Sequence, residues 1–426
     1  MPVNIPETGQ KRIVVIGGGF AGLTLARKLA RTNYQVVLVD KNNFHQFQPL
    51  FYQVAMAGLE PSSIAFPFRK IFQRSKNVFV RVSEVTAVKL EEKRIITTHG
   101  YLNYDYLVVA VGADTNFFGN ENIARHAVPM KSVSEALYLR NSILEDYETC
   151  LTIRDYDERQ HYIDIVIVGG GPTGVEIAGA LAEMRKYVIP HDYKELDEEE
   201  IDIYLVQSGD RLLKGMSQKS ADTALQALEK LGVKVILNNR VTDYDGEYVY
   251  MKDGSKILTK KLIWAAGIKG NTIPGLPEGC IVRGNRIKVD EYNEVEGVKD
   301  VFAIGDIAFM PDETYEYGHP QVAQVAIQQG KNLADNFKRI AKGKERKTFK
   351  YKDKGSMATI GRRRAVVDLP NGFFKGTLAW VVWLIVHLFA IIGVKNKLIV
   401  FINWVWNYVT YDQSLRLIIR PFQRKK

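Results

Sequence analysis

Two stretches of this sequence have the residue types needed to hold a phosphate. Gly17-Gly-Gly-Phe-Ala-Gly22 and Gly169-Gly-Gly-Pro-Thr-Gly174 both follow the spacing GxGxxG. In that spacing the first glycine (Gly17, Gly169) makes a tight turn. The second (Gly19, Gly171) lets backbone N–H groups approach a pyrophosphate. The third (Gly22, Gly174) lets helix and strand pack closely, with the phosphates at the helix N-terminus. Asp40 is the acid expected to bond ribose hydroxyls of the first nucleotide; the matching position of the second copy is Gln207. Asp306 ends a third Gly-Asp turn. Two such units ask for two nucleotides, and FAD plus NAD(P) is the simplest pair.

The elements that must position these residues also repeat. Lys11-Arg-Ile-Val-Val-Ile16 enters the first loop, a helical pattern runs to Leu29, and Gln35-Val-Val-Leu-Val39 follows. Asp164-Ile-Val-Ile-Val168 enters the second loop, and Ile201-Asp-Ile-Tyr-Leu-Val206 comes after its helix. Tyr106-Leu-Val-Val-Ala-Val-Gly112 ends 95 residues beyond Gly17, and Leu262-Ile-Trp-Ala-Ala-Gly267 ends 98 beyond Gly169. Strand, glycine loop, helix and strand make the βαβ dinucleotide unit, here twice. Val301-Phe-Ala-Ile-Gly-Asp306 reads as a strand returning to the first unit, with Asp306 reaching the ribityl chain. The expected class is α/β: two Rossmann-like domains in a glutathione-reductase-like arrangement, plus a C-terminal membrane-associating helical segment. The expected boundaries are 10–118 with 268–345 for the FAD domain, 119–267 for the nicotinamide domain and 346–426 for the tail.

The tail differs in composition from what precedes it. Lys338 to Lys426 holds 20 Lys/Arg against 4 Asp/Glu, so of a net +10 the tail carries +16 and the preceding 337 residues −6. Leu378 to Val394 has 17 residues without a formal charge, and Leu398 to Val409 is apolar again, with Trp404 and Trp406. The first run is borderline for spanning a membrane and the second too short. Tryptophans and apolar residues flanked by Lys/Arg instead mark interfacial helices, with Arg416, Arg420, Arg424, Lys425 and Lys426 expected to face anionic lipid headgroups. A helix pair buried at a homodimer interface is the alternative, and both can hold. No polar groove-reading helix is offered to nucleic acid.

The two cysteines, Cys150 and Cys280, form no CxxC pair. That spacing excludes a disulfide framework, a cysteine-held iron–sulfur cluster and a vicinal redox disulfide, and no metal site is expected. A reducing compartment suits the chain. Met1 to Gln10 has no charged-then-apolar pattern, so no secretory signal is expected there.

The two glycine loops, Asn42-Asn-Phe-His-Gln-Phe-Gln-Pro-Leu-Phe-Tyr-Gln-Val-Ala55, Ala323-Gln-Val-Ala-Ile-Gln328 and Tyr351-Lys-Asp-Lys-Gly-Ser-Met-Ala-Thr-Ile-Gly361 resemble the type II NADH dehydrogenases from about residue 11 to the end. The resemblance implies a single-subunit, non-pumping enzyme. It would pass two electrons from NADH through non-covalent FAD to a membrane quinone, at the cytoplasmic side of the cell inner membrane. It places Gln324, Gln328 and Lys354 by the quinone pocket, and Glu176 where nicotinamide and flavin rings meet. It assigns Gly17, Gly19, Gly22, Asp40, the Val85 backbone, Gly112 and Asp306 to FAD. Gly169, Gly171, Thr173, Gly174, Glu176 and the Gly267 turn go to NADH.

Two residue-level alternatives stand beside these roles. Glu176, expected in the first turn of a helix, can merely complement its dipole, and Gln324 and Gln328, at i,i+4, can be a polar stripe. Gln207 lacks the charge that repels a 2′-phosphate, so NADPH use beside NADH is expected; Arg211 and Lys214 follow closely. Sulfide:quinone and disulfide reductases on this scaffold need paired cysteines that the chain lacks.

Overall fold

The computed structural model describes residues 1–410 and 415–420, so Arg424, Lys425 and Lys426 lie outside the described residues. From the N-terminus the chain runs β1 (Arg12–Ile16), α1 (Phe20–Leu29), β2 (Gln35–Asp40), α2 (Phe51–Ala55), β3 (Val78–Val82) and β4 (Tyr106–Val109). Then come β5 (Val128–Pro129), α3 (Val133–Cys150), β6 (Ile165–Val168), α4 (Pro172–Tyr187), β7 (Ile203–Val206), β8 (Val233–Ile236) and β9 (Lys261–Trp264). The last part holds β10 (Val301–Ala303), α5 (Ala323–Ile340), β11 (Ser356–Thr359), β12 (Ala365–Leu369), β13 (Gly372–Lys375), α6 (Gly376–Ala390) and α7 (Val394–Thr410). Further elements, among them a helix over Gln218–Lys230, connect these.

The chain divides into two compact units. One comprises Met1–Gln46, Phe66–Asp114 and Ile268–Asp353; the other Phe47–Ala65, Thr115–Gly267 and Lys354–Lys426. Residues 47–65 thus cluster with the second unit, whereas the sequence reading counted them in its first domain. The tail from Lys354 onward also belongs to the second unit: β11 packs on α4, and α6 on β12.

Each unit is built on a five-stranded parallel sheet, in the order β10-β4-β1-β2-β3 in the first and β5-β9-β6-β7-β8 in the second. The glycine-loop strand is central in both. Central parallel strands are covered on both faces, which is why β1, β4, β6 and β9 are buried at every residue. The β-branched runs legible in the sequence are these strands. The first core joins Val14, Ile16, Val37, Leu107 and Val301; the second joins Val166, Val206, Leu262 and Trp264.

The tail is not a separate helical hairpin. β11, β12 and β13 form an antiparallel sheet, and Ala365, Val367 and Ala379 make a small core beneath α6. Trp383 on α6 is 1% exposed and Val400 on α7 is fully buried. The two cysteines are free and buried, one in each unit.

Candidate functional site

Gly17 and Gly169 leave their strands at φ +98° and +112°, a conformation that L side chains rarely adopt. A Cβ at either would run into the backbone of Ala110 or Ala265. At Gly19 and Gly171 a Cβ would meet nothing within 4 Å, so the backbone there faces open space. These two glycines are the N-caps of α1 and α4, and neither helix has a side-chain cap bond at its start. A helix start with open space beside its N-cap glycine fits a diphosphate in both units.

The second strand of each unit ends on a side chain that returns to its loop. Asp40 Oδ2 accepts from Gly18 N at 2.6 Å, while Oδ1 accepts from Asn42 N at 2.7 Å. Gln207 Oε1 accepts from Gly170 N at 2.9 Å. Burial pushes the Asp40 carboxyl up, and the amides of Asn42 and Gly18 pull it back. His45 lies beside this loop with Nδ1 3.0 Å from Gly18 O, and burial lowers its pKa to about 4, so it is a neutral packing residue. Arg211 turns along its own loop, donating to Gln218 Oε1 at 3.0 Å and Lys214 O at 3.1 Å.

All seven FAD candidates fall in the first unit. Gly17, Gly19, Gly22 and Asp40 form the loop and strand end, and Val85 opens a strand paired with Arg94–Thr97. Gly112 follows β4 with a positive φ, and Asp306 lies in the turn after β10, its carbonyl accepting from Gln321 at 2.9 Å. Gly169, Gly171, Thr173, Gly174, Gln207 and Gly267 all fall in the second unit, where Gly267 O accepts from Asn116 N at 3.2 Å.

The four catalytic candidates divide. Gln324 and Gln328 are on α5 in the first unit; Glu176 and Lys354 are in the second. Gln328 uses both ends of its amide on one residue: Nε2 donates to Lys352 O at 2.9 Å, and Oε1 accepts from Lys352 N at 3.0 Å. Two turns later Asn336 does the same to Lys347, at 2.9 and 2.8 Å. The stripe at i,i+4 therefore continues as Gln328, Asn332 and Asn336 and clasps the extended segment 347–352. Gln324 reaches Asp353 Oδ1 at 3.5 Å. Lys354 is exposed, just ahead of β11.

Glu176 lies beyond the first turn of α4, which contains no acid, so complementing the helix dipole does not account for it. Its Oε1 accepts from Thr359 N at 3.4 Å, and burial pushes its pKa up to about 8. Protein atoms enclose the carboxyl although part of the residue keeps surface contact. Burial thus favours its protonated form.

Thr359 leads to residues that lie in the stretches resembling the family but for which the sequence predicts no role at the site. Its Oγ1 is 3.0 Å from the Tyr52 hydroxyl, Gln53 Nε2 donates to that hydroxyl at 2.9 Å, and Trp404 Nε1 donates to Gln53 Oε1 at 2.7 Å. These residues border a cleft walled by Trp380, Trp383, Leu384 and Tyr408, with Glu183 and Arg362 among its polar lining.

The tail helices turn part of their polar residues inward and much of their apolar surface outward. On α7, Asn396, Trp404 and Asn407 bond the 53–63 segment, while Leu398, Ile402, Trp406 and Val409 are 56%, 61%, 56% and 70% exposed. On α6, Ala379 and Trp383 are buried and Leu378, Ile385 and Phe389 are exposed. Among the described residues no helix is long and apolar enough to cross a membrane. Of the tail arginines expected to face lipid headgroups, Arg416 is 22% exposed and Arg420 76% exposed. Arg416 pairs with Asp192, and Arg420 Nε lies 2.9 Å from Glu145 Oε1, because acidic side chains of the same unit stand within reach.

Residues 11–330 match the pyridine nucleotide-disulphide oxidoreductase family and residues 354–410 the NDH2 C-terminal domain. Two Mycobacterium tuberculosis proteins, the type II NADH:quinone oxidoreductases NdhA and Ndh, are 36% and 34% identical to this chain. The matches cover 93% and 94% of it and 87% and 88% of those proteins. The chain belongs to the type II NADH:quinone oxidoreductases. A solved NDH2 from Plasmodium falciparum in complex with NADH shares the fold, with TM-score 0.88 at 23% identity over 96% of this chain and all of that one. The sulfide:quinone oxidoreductase of Aquifex aeolicus shares it more distantly, with TM-score 0.72 at 17% identity over 94% of this chain and 95% of that one. In this type II chain the two cysteines stand in different units, with no thiol pair to serve a disulfide exchange.

Proposed function

We propose that this chain oxidises NADH and reduces a membrane quinone, as a single-subunit enzyme that moves no protons across the bilayer. The observation that carries the reading is a two-dinucleotide scaffold whose tail helices turn their apolar faces outward. The flavin, read here as FAD, supplies the two-electron chemistry when bound, and the protein supplies position. The Gly17 loop, Asp40, Val85, Gly112 and Asp306 hold FAD, and the Gly169 loop, Gln207 and Gly267 hold NADH. Thr173, exposed at the start of α4, adds a hydroxyl for the second diphosphate.

Quinone reduction consumes two protons, and a carboxyl whose protonated form is favoured by burial suits their delivery. Glu176 takes that role, Gln324 orients the quinone, Gln328 keeps segment 347–352 in place and Lys354 offers a positive charge. NADH is the better substrate and NADPH is used as well, because Gln207 carries no charge. The outward faces of α6 and α7 lie in a lipid surface at the cytoplasmic side of the inner membrane, since contiguous exposed apolar faces of this kind mark an interaction site. A homodimer joined through these same faces is the competing occupant.

The test purifies the protein, identifies its released flavin, and compares NADH and NADPH with ubiquinone and menaquinone analogues. Vesicle flotation beside sedimentation separates lipid from dimer. Flavin reduction by NADH without reoxidation by any quinone would remove the reading.

A further inference from the structure

The inner face of α7 holds the 53–63 segment by side-chain bonds. Asn396 Nδ2 donates to Ser62 O at 2.9 Å and Ser63 O at 3.1 Å, and Asn407 Nδ2 to Gly58 O at 3.1 Å. The third, from Trp404 to Gln53, begins a chain with a fixed direction. An indole N–H can only donate, so the Gln53 carbonyl must face Trp404 and its NH2 must face Tyr52. The Tyr52 oxygen accepts that bond, which leaves its own hydrogen for Thr359 Oγ1 at 3.0 Å. The Thr359 hydroxyl hydrogen is then turned away from Tyr52, on the residue whose backbone N–H donates to Glu176 Oε1.

Tyr52 and Thr359 are 9% and 3% exposed, where each bond polarises the next. Burial, and then the nearby Glu176 charge, pushes the Tyr52 phenol far above its usual range, so it keeps its proton and passes on polarity. The other titratable groups along this face of α4 are Glu183, on the same helix, and Arg362 and Arg364 after β11. Burial raises the Glu183 carboxyl and the two arginines lower it.

We propose that Tyr52 and Thr359 are positioning residues for Glu176. The one-way chain from Trp404 through Gln53 and Tyr52 seats Thr359, whose backbone N–H holds that carboxyl, and so ties its protonation to the seating of α7. The Glu176 midpoint is lower while α7 is docked and rises when Trp404 withdraws. The functional meaning rests on the role proposed for Glu176, but the linkage is measurable without turnover.

The experiment follows the Glu176 carboxyl by infrared-detected pH titration of the full-length holoprotein without NADH or quinone, the band being assigned by its loss in Glu176→Gln. Tyr52→Phe and Thr359→Val remove the bond that seats Thr359 and should each raise the midpoint by about half a pH unit, as expected when the backbone bond to Glu176 is weakened and not lost. Thr359→Ser, which keeps the hydroxyl, should restore it. Trp404→Phe keeps a ring and removes only the donor, and should raise the midpoint by a smaller amount. Unmoved midpoints in Tyr52→Phe and Thr359→Val overturn the chain; if either fails to fold, an unmoved midpoint in Trp404→Phe overturns it alone. A quinone reductase rate unaffected by Glu176→Gln would remove the proposed role of Glu176 and leave the titration result standing.

Discussion

Asp40 and Gln207 make the same contact in the two units: each accepts the backbone N–H of the second residue of its glycine loop, at 2.6 and 2.9 Å. The acid and the amide are therefore equivalent as clasps and differ in charge. Only the charge bears on a 2′-phosphate.

Gln207→Glu keeps the acceptor for Gly170 and adds a negative charge. Its kcat/KM for NADPH should fall relative to NADH by an amount on the order of 1–2 kcal/mol, roughly 5- to 30-fold. Steady-state kinetics with both cofactors in both proteins checks it. An unchanged ratio would mean that this side chain does not read the ribose.

Glu176 sets a pH dependence whose sign can be worked out. Its pKa is raised from 4.5 to about 8 by burial. Below pH 4.5 both folded and unfolded forms are protonated. Between there and pH 8 only the unfolded form ionises, so stability falls as pH rises, by a few kcal/mol in all. Glu176→Gln removes that slope, so its melting temperature should gain on the parent protein at pH 9 compared with pH 5. Quinone reduction by the parent should decline as pH rises through about 8, and this decline should be missing in the variant.

Gln324 and Gln328 should separate under substitution. Gln328→Leu breaks both bonds to Lys352 and should cost about 1–3 kcal/mol of stability, seen in denaturant unfolding. Gln324→Leu should leave stability and rapid flavin reduction by NADH intact while slowing reoxidation by quinone. Equal slowing of both half-reactions would remove Gln324 from the quinone side.

Attachment to lipid is best tested by point changes. Cutting at Gly372 would strip β13 from β12 and remove Trp383 from the core. Phe389→Ser, Ile402→Asn and Val409→Ser alter residues 73%, 61% and 70% exposed, and together they should move the protein to the soluble fraction with its flavin retained. High salt alone should release the parent protein only in part, because apolar burial is not screened. Complete release by salt would make the attachment purely electrostatic.

What was legible in the sequence was local. A strand, a glycine loop and a helix within thirty-odd residues announce themselves, and both sheets follow from that repeat. Tyr52 and Thr359 meet across 307 residues, and neither stretch has a periodicity that names the other. The spacing of Gln324 and Gln328 was visible, but the backbone that Gln328 holds was not. Net charge sets the tail apart in composition, yet gives no sign that it joins the second unit or that Asp192 and Glu145 stand within reach of Arg416 and Arg420. Charge counts carry no geometry.

Quinones are electrophiles, and a thiolate adds readily to their ring. Cys150 is fully buried and Cys280 is 4% exposed, with its thiol donating to Pro277 O; burial raises the pKa of both. Since the thiolate is the reacting species, both sulfurs are kept out of reach and in their less nucleophilic form. A chain that handles an arylating substrate at every turnover thus offers it no sulfur to arylate.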